Sequence, residues 1–238
     1  MALEMILFDL DGTLLPMDQD RFIQLYFQSL AAHLGPYGYD AKGLFAAVQA
    51  GIGAMVQNDG AMINEDAFWQ AFRRTSGRNG RADLPLFDAY YQQHFVFAKG
   101  GCGYDPQAAE CIAWLKQKGL RLALATNPFF PATATRQRIQ WAGLNPEDFE
   151  IITTFENSRF CKPNPQYYRQ LAQDLHIAPE RCLMAGNDAW EDLIAEQTGM
   201  KVFLLTKGLL NKPGIDITPY PQGDFEDLKH YILSLLGE

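Results

Sequence analysis

Two carboxylates one residue apart follow a short apolar run near the start of the chain. Residues 5–8 are apolar and lead towards a turn signal at Gly12, a pattern that predicts a buried strand. Alternate residues of a strand share a face, so the side chains of Asp9 and Asp11 are expected to point the same way. Two close carboxylates repel each other, and a bound cation or a shared reaction would explain why both are present.

Polar residues also follow three further predicted strands. They are Thr126 and Asn127 after the second strand, Lys162 in a loop after the third, and Asn187, Asp188 and Asp192 after the fourth. Because the carboxyl ends of parallel strands meet at one edge of a sheet, these side chains are expected to converge on one cleft with Asp9 and Asp11.

Such a set of side chains suits phosphoryl transfer. One carboxylate can attack phosphorus, and a second can protonate the leaving oxygen and then activate water. A hydroxyl, an amide and an ammonium can hold the remaining phosphoryl oxygens. A hard divalent cation with oxygen ligands would neutralise the phosphate charge.

The elements that would position these residues alternate between strand and helix. The predicted strands lie at 5–8, 120–125, 150–154, 181–185 and 201–205, and the predicted helices lie at 106–118, 132–142, 165–176, 189–198 and 225–236. Alternation at this spacing is typical of right-handed βαβ units with a parallel sheet. The sequence therefore predicts an α/β fold.

Residues 16–103 have a different pattern. Four helical segments are predicted there, the third with Asn64 as its N-cap, and no stretch predicts a strand. A glycine-rich break at 100–103 ends this part of the chain. We therefore predict an α/β core formed by residues 1–15 and 104–238, with an inserted helical domain formed by residues 16–103.

Four motifs in this order resemble those of the haloacid dehalogenase superfamily of Mg²⁺-dependent phosphatases. They are Asp9-Leu10-Asp11-Gly12-Thr13, Thr126, Lys162-Pro163, and Gly186-Asn187-Asp188 with Asp192. The resemblance implies a Rossmann-like, doubly wound parallel sheet with a helical cap domain inserted after the first motif. It favours the phosphatase branch, because the dehalogenase branch lacks the second aspartate, here Asp11.

The resemblance also implies a catalytic role for several motif residues. Asp9 would be the nucleophile, and Asp11 would be the general acid and base. Thr126, Asn127 and Lys162 would bind the phosphoryl group, and Lys162 would also stabilise Asp9.

The metal site implied by the resemblance has one unusual residue. Mg²⁺ would be bound by Asp9, by Asp11 through its backbone carbonyl, by Asn187 and by Asp192. The family usually has an aspartate where this chain has Asn187. Whether Asn187, Asp188 or Asp192 binds the metal directly is therefore left open.

The predicted function is Mg²⁺-dependent hydrolysis of the phosphate monoester of a small metabolite through an aspartyl-phosphate intermediate. A phosphomutase, in which a sugar hydroxyl replaces water, is an alternative within the superfamily. A non-catalytic binding module is an alternative of another class, and Asn187 is the residue that favours it. A phosphonatase would need a cap lysine, and Lys42 and Lys99 have no supporting motif.

Several clusters in residues 16–103 have two interpretations each. The aromatic residues Phe68, Trp69 and Phe72 suit either a core or a pocket wall. Four arginines, at positions 73, 74, 78 and 81, suit either a solvated loop or the attraction of an anionic substrate tail. Residues 51–53 and the loop after Asn58 are candidates for the surface that faces the substrate.

Composition restricts the classes of partner. The net charge of -8 over 238 residues argues against nucleic acid or an anionic membrane as the main partner. The four cysteines include no closely spaced pair, which favours free thiols in a reducing cytoplasm. No signal peptide or apolar run of about 18 residues is apparent. We expect a cytoplasmic monomer or homodimer.

Overall fold

A five-stranded parallel sheet lies at the centre of the computed structural model, which describes residues 2–238. The strands are β1 (Met5–Phe8), β2 (Arg121–Leu124), β3 (Cys182–Gly186), β4 (Lys201–Leu205) and β5 (Gln222–Gly223), in the spatial order β2-β1-β3-β4-β5. Phe8 pairs with Leu124 and with Ala185, so three strands end at the same level. Because β2 and β3 lie on opposite sides of β1, the chain changes direction at β1, and ligands bind at such a point.

Helices pack on both faces of the sheet. The α-helices are α1 (Gln19–Leu34), α2 (Ala41–Val56), α3 (Asn64–Ser76), α4 (Leu84–Gln93), α5 (Pro106–Gln117), α6 (Ala132–Trp141), α7 (Pro165–Asp174) and α8 (Phe225–Leu236). Successive strand residues point to opposite faces. Ile6 and Phe8 share a core with α5, α6 and α8, whereas Met5 and Leu7 share a core with α7. The predicted α/β fold class with a parallel sheet is confirmed.

Helices α1–α4 and a 3-10 helix at Phe95–Gly101 lie between β1 and α5. The chain enters and leaves this segment side by side, since Asp18 N donates to Gly101 O and Gly103 N donates to Pro16 O, at 2.9 and 2.7 Å. The segment packs against the rest of the molecule through aromatic rings, and Phe95 stacks on Trp141 of α6 with 5.1 Å between ring centroids. The division of the chain into core and cap domains stays a prediction.

The strand predicted at 150–154 forms only in part. Three backbone hydrogen bonds join residues 150–153 to β2: Glu150 N to Leu122 O, Leu124 N to Ile151 O, and Thr153 N to Leu124 O, at 2.8, 2.8 and 3.0 Å. Only Ile152 makes a parallel bridge, with Leu124 at the end of β2. The chain then turns, because Asn157 Oδ1 accepts a hydrogen bond of 2.8 Å from Thr154 N. Strand β5 is not predicted from the sequence, because two residues are too short to show an alternation of apolar and polar side chains.

The helix predicted at 189–198 is replaced by turns and a 3-10 helix at Leu193–Thr198. Asp188 Oδ1 accepts from the backbone N of Trp190 and of Glu191, at 2.8 and 3.1 Å. A short acidic side chain that bonds nearby backbone in this way competes with the helical pattern.

The N-cap of α3 also differs from the prediction. Ile63 holds that position, and Asn64 is the first helical residue. The Asn64 side chain is buried, where its Oδ1 accepts from Asn58 Nδ2 and its Nδ2 donates to Phe160 O, at 2.9 and 3.2 Å. Asn64 therefore links the start of α3 to the loop before Lys162. Within residues 2–238, no helix combines the length and apolarity needed to cross a membrane.

Candidate active site

The loop after β1 is folded tightly around Gly12. Gly12 has φ of +91°, and a Cβ atom at this position would lie 2.4 Å from Asn187 Nδ2. Glycine meets both requirements, because it adopts positive φ without strain and allows close approach of another loop. The loop after β1 therefore packs directly against the loop after β3.

Thr13 lies between the two loops. Its Oγ1 is 2.8 Å from Asn187 Oδ1 and 3.2 Å from Asp9 Oδ2. A hydroxyl has one proton, so it donates to one of these oxygens at a time. Asn187 Nδ2 donates to Gly208 O at 2.8 Å, which turns the amide oxygen towards Asp9.

Lys162 is buried behind Asp9. Its Nζ donates to Asp9 Oδ1 at 2.9 Å and to Asp192 Oδ1 at 2.7 Å. Burial alone would lower the pKa of Lys162, but the carboxylates of Asp192 and Asp9 together raise it well above its usual range. Lys162 is therefore an ammonium ion that offsets the negative charges of Asp9 and Asp192.

Asp192 has protein donors on both oxygens. Oδ1 accepts from Lys162, and Oδ2 accepts from Asp188 N at 2.9 Å. The carboxylate lies so close to Gly186 that a Cβ there would be 2.0 Å from Oδ2. Burial raises the pKa of Asp192 to about 6, although Lys162 opposes this shift.

Asp11 forms an ion pair with Arg138 of α6 through Oδ2 and Nη1. The Arg138 side chain is fully buried, its Nη2 donates to Thr135 Oγ1 at 3.2 Å, and its guanidinium lies 4.6 Å from the centre of the Phe130 ring. Burial raises the pKa of Asp11, and Arg138 opposes this shift. Asp11 Oδ1 has no hydrogen-bond partner within residues 2–238.

Thr126 and Asn127 follow β2 directly. The carbonyl of Thr126 accepts from Thr153 Oγ1 and Tyr167 Oη, at 2.7 and 2.9 Å, which fixes the backbone at this point. Asn127 Nδ2 donates to Lys162 O at 3.3 Å and to Glu191 Oε2 at 3.0 Å. Asn127 Oδ1 is buried without a partner among the described residues.

Glu191 is the second acidic residue of the loop after Asn187. Its burial raises the pKa to about 7, and Lys162 opposes this shift while Asp192 and Asp9 add to it. A carboxyl group with this pKa titrates near neutral pH.

A cavity of about 330 Å³ opens above these residues. Its polar floor is formed by seven residues that follow β1, β2 and β3: Asp9, Asp11, Thr126, Asn127, Asn187, Asp188 and Glu191. The rest of the wall consists mainly of apolar side chains from α1–α4 and from residues 129–131. The structure therefore brings together all eight residues singled out in the sequence: six line the cavity, and Lys162 and Asp192 lie behind Asp9.

The clusters noted in residues 16–103 divide between surface and cavity. Phe68 and Trp69 line the cavity, as does Ile52 between the two glycines of α2, whereas Phe72 is fully buried. Two of the four arginines are paired within the segment, Arg78 with Asp83 and Arg81 with Asp66. None of the four lines the cavity.

A family model for haloacid dehalogenase-like hydrolases matches residues 3–197 of the chain. The chain belongs to this family. The predicted superfamily and the prediction of a hydrolytic enzyme are therefore confirmed.

Relatives and solved structures of haloacid dehalogenase-like proteins extend over nearly the whole chain. A phosphoglycolate phosphatase of Colwellia psychrerythraea is 28% identical over 233 residues, which are 98% of this chain and 96% of the relative. A 2-haloacid dehalogenase from Pseudomonas syringae pv. Tomato superposes with a TM-score of 0.64 at 16% identity, covering 98% of each chain. A HAD phosphatase from Thermococcus onnurineus has a TM-score of 0.57 at 18% identity, covering 97% of this chain and 98% of that one. The two structures show the shared fold alone, and the name of the Colwellia psychrerythraea relative agrees with the predicted phosphatase branch.

Two residues of this haloacid dehalogenase-like site were missed in the sequence. Arg138 lies four residues after Ala134 and three before Trp141, so it occupies the buried face of α6, and a charged residue on that face was the available signal. Glu191 gave no comparable signal, because its neighbours Asp188 and Asp192 are also acidic.

Proposed function

We propose that this haloacid dehalogenase-like hydrolase cleaves phosphate monoesters with Asp9 as the nucleophile and Mg²⁺ as the cofactor. The observation that carries the proposal is the setting of Asp9 at the floor of the cavity. Lys162 lies 2.9 Å from one carboxylate oxygen of Asp9, and the Thr13 hydroxyl lies 3.2 Å from the other. These contacts orient the carboxylate and offset the repulsion between it and an incoming phosphate dianion.

The reaction would consist of two displacements at phosphorus. A carboxylate oxygen of Asp9 attacks phosphorus, the bond from phosphorus to the leaving oxygen breaks, and Asp11 donates its proton to that oxygen. Asp11 then removes a proton from a water molecule that attacks the phosphorus of the acyl phosphate. The bond from phosphorus to Asp9 breaks, which releases inorganic phosphate and the free carboxylate. The Thr126 hydroxyl and the backbone N–H of Asn127 would hold the phosphoryl oxygens throughout, and Lys162 would offset their charge from behind Asp9.

The donor atoms at the site fit a hard divalent cation. They are all oxygens, Asn187 Oδ1 and Asp9 Oδ2 lie on either side of the Thr13 hydroxyl, and Asp11 Oδ1 is buried without a partner in the described chain. No three His, Cys, Asp or Glu side chains within residues 2–238 form a metal-binding group, so the proposed ligand set includes the amide oxygen of Asn187 and a backbone carbonyl.

Asp9, Asn187 and the backbone carbonyl of Asp11 would therefore hold Mg²⁺, which would neutralise charge on the phosphoryl group. Asp192 would act through Lys162, because it does not line the cavity and its Oδ1 accepts from Lys162 behind Asp9. Asp188 lines the cavity, but its Oδ1 is used by the backbone N–H groups of Trp190 and Glu191.

Residues 16–103 would form the cap domain, and residues 1–15 and 104–238 the core. The cavity supports this division, because its polar floor comes from the core and most of its apolar wall comes from α1–α4. The volume of about 330 Å³ fits a small phosphorylated metabolite. A cytoplasmic location and a monomeric or homodimeric state stay predictions.

The test uses p-nitrophenyl phosphate with Mg²⁺ or Mn²⁺. We expect turnover by the wild-type protein and none above background by Asp9→Asn, because the nucleophile is then lost. Absence of turnover by the wild-type protein with either metal would overturn the proposed function.

The covalent intermediate can be tested with Asp11→Asn. Nitrophenolate leaves without a proton donor, whereas water must still be activated, so hydrolysis of the acyl phosphate should slow by roughly 10²–10⁴-fold. Intact-mass measurement after an acid quench should therefore show one added phosphoryl group on Asp11→Asn. The double variant Asp9→Asn with Asp11→Asn is the control, and a phosphoryl group on that protein would place the nucleophile elsewhere.

A further inference from the structure

The cavity wall that would face the leaving group is apolar and rich in aromatic rings. Helices α1–α4 and the loop after β2 contribute, among others, Phe22, Phe27, Phe68, Trp69 and Phe130. Side chains of this kind bind a ligand through apolar contact and through aromatic packing.

Positive charge is scarce at the cavity surface. Among the described residues that line it, Lys212 is the one cation, and it is exposed in the loop after β4. The two buried cations of the site, Lys162 and Arg138, do not line the cavity and are paired with carboxylates. A second anionic group on a substrate would therefore be transferred from water to a surface of rings and acids, which is unfavourable.

Hydrogen-bonding groups on the same wall are also few. The hydroxyls of Tyr26 and Tyr91 lie 3.0 Å apart and bond each other. The amides of Gln19 and Gln49 are on exposed residues, so they lie at the rim rather than in the interior. A sugar would lose hydrogen bonds to water and gain few in return.

We propose that the substrate is the phosphate monoester of an uncharged, apolar alcohol that carries a ring or a branched carbon skeleton. This inference rests on the proposed phosphatase function and specifies its leaving group. It differs from what phosphoglycolate, the ester named for one relative, would require, since that leaving group carries a carboxylate.

The direct test compares three esters with the intact enzyme and Mg²⁺: benzyl phosphate, 4-carboxybenzyl phosphate and phosphoglycolate. Benzyl and 4-carboxybenzyl phosphate differ by one carboxylate and share a ring. We expect kcat/KM for benzyl phosphate to exceed that of each carboxylated ester by at least about tenfold, mainly through KM. Equal values, or a preference for a carboxylated ester, would overturn the inference.

A pair of charge variants tests whether the helical wall sets this preference. Ile23 lines the cavity and is 47% exposed, whereas Val56 is 46% exposed and does not line it. Ile23→Arg should reduce the preference for benzyl over 4-carboxybenzyl phosphate several-fold, because it places a cation on the apolar wall. Val56→Arg adds the same charge elsewhere on the helices and should leave the ratio unchanged. An equal effect of both variants would contradict the assignment of this wall.

The alternative source of specificity is Lys212. If it bound an anionic tail, phosphoglycolate would be preferred by the wild-type enzyme and this preference would be lost in Lys212→Gln. That result would overturn the inference while the proposed function stands. Turnover of p-nitrophenyl phosphate indistinguishable from that of Asp9→Asn would instead remove the proposed function, and the inference with it.

Discussion

The two carboxylates that open the first motif are held by different buried cations. Asp9 contacts Lys162, the first residue of the third motif, and Asp11 contacts Arg138, which lies on α6 outside every motif. Leaving either carboxylate without its cation in a buried site would be costly. The side-chain positions of the site therefore depend on Arg138 as much as on the motif residues.

Replacement of Arg138 by methionine tests this dependence. Without the guanidinium, Asp11 loses its orientation relative to the water that attacks the acyl phosphate, and a misplacement of about 1 Å can cost about 10²-fold in rate. We expect kcat with p-nitrophenyl phosphate to fall by about 10–10²-fold, with a smaller change in KM. Arg136→Gln is the matched control, since Arg136 lies on the same helix and pairs at the surface with Glu147. Equal losses in both variants would show that Arg138 has no special role.

The raised pKa of Glu191, at about 7, predicts a pH-dependent stability. An unfolded glutamate titrates near 4.5, so between these values the folded protein holds more protons, and the contribution of this group falls as pH rises. Glu191→Gln keeps an acceptor for Asn127 and removes the buried charge. The variant should therefore gain stability relative to wild type as pH rises, and the difference between their free energies of unfolding should be about 1–2 kcal/mol larger at about pH 8 than at about pH 5.

Urea unfolding with a chelator present measures this difference without a bound metal. Glu110→Gln, at an exposed position on α5, is the control and should show no such dependence on pH. If the free energies of unfolding of Glu191→Gln and wild type differed by the same amount at both pH values, the pKa of Glu191 would not be raised in the folded protein.

At the scale of elements, the helices and strands that could be predicted are those with a clear periodic pattern of apolar residues between two turn signals. Strands β1–β4 and most helices follow from apolar runs and turn signals. The end of the pairing with β2 after Thr153 and the turns at 189–192 could not be predicted, because single side chains, Asn157 and Asp188, bond the backbone there. Such local bonds have no period in the sequence.

Helices α2 and α3 approach each other closely at one glycine. A Cβ at Gly51 would lie 2.3 Å from Phe68 Cδ2, whereas a Cβ at Gly53 of the same helix would have no atom within 4 Å. Gly51→Ala should therefore destabilise the protein by about 1–3 kcal/mol through overpacking. Gly53→Ala should stabilise it by about 0.5–1 kcal/mol, because alanine favours the helix. Thermal unfolding of the two variants checks the opposite signs, and a shift of the same sign in both would contradict this packing.

At the scale of the whole molecule, four strand ends and the helical segment meet around one cavity. The polar floor could be predicted, because the carboxyl ends of parallel strands share one edge and the candidate residues that line the cavity follow β1, β2 and β3. The cavity wall could not, since its rings come from four helices whose orientation depends on tertiary packing. Substrate preference therefore lies in the part of the site that sequence periodicity does not position.

The same arrangement makes metal binding measurable in the stability of the whole chain. The net charge is -8, and four acids line the cavity, so a divalent cation bound there relieves repulsion that the unfolded chain does not have. A ligand that binds only the folded state stabilises it by about 2.7 kcal/mol at 100 times its Kd. The thermal midpoint of the wild-type protein should therefore rise with Mg²⁺ concentration.

The quantity to compare between variants is the rise in thermal midpoint on adding Mg²⁺, and not the midpoint itself. Asp9→Leu and Asn187→Leu should lose most of the Mg²⁺-dependent rise, because each removes a proposed oxygen ligand. Asp216→Asn, at an exposed position, keeps all proposed ligands and should retain the rise. An equal rise in all four proteins would mean that Mg²⁺ binds elsewhere, and this readout does not depend on turnover of any substrate.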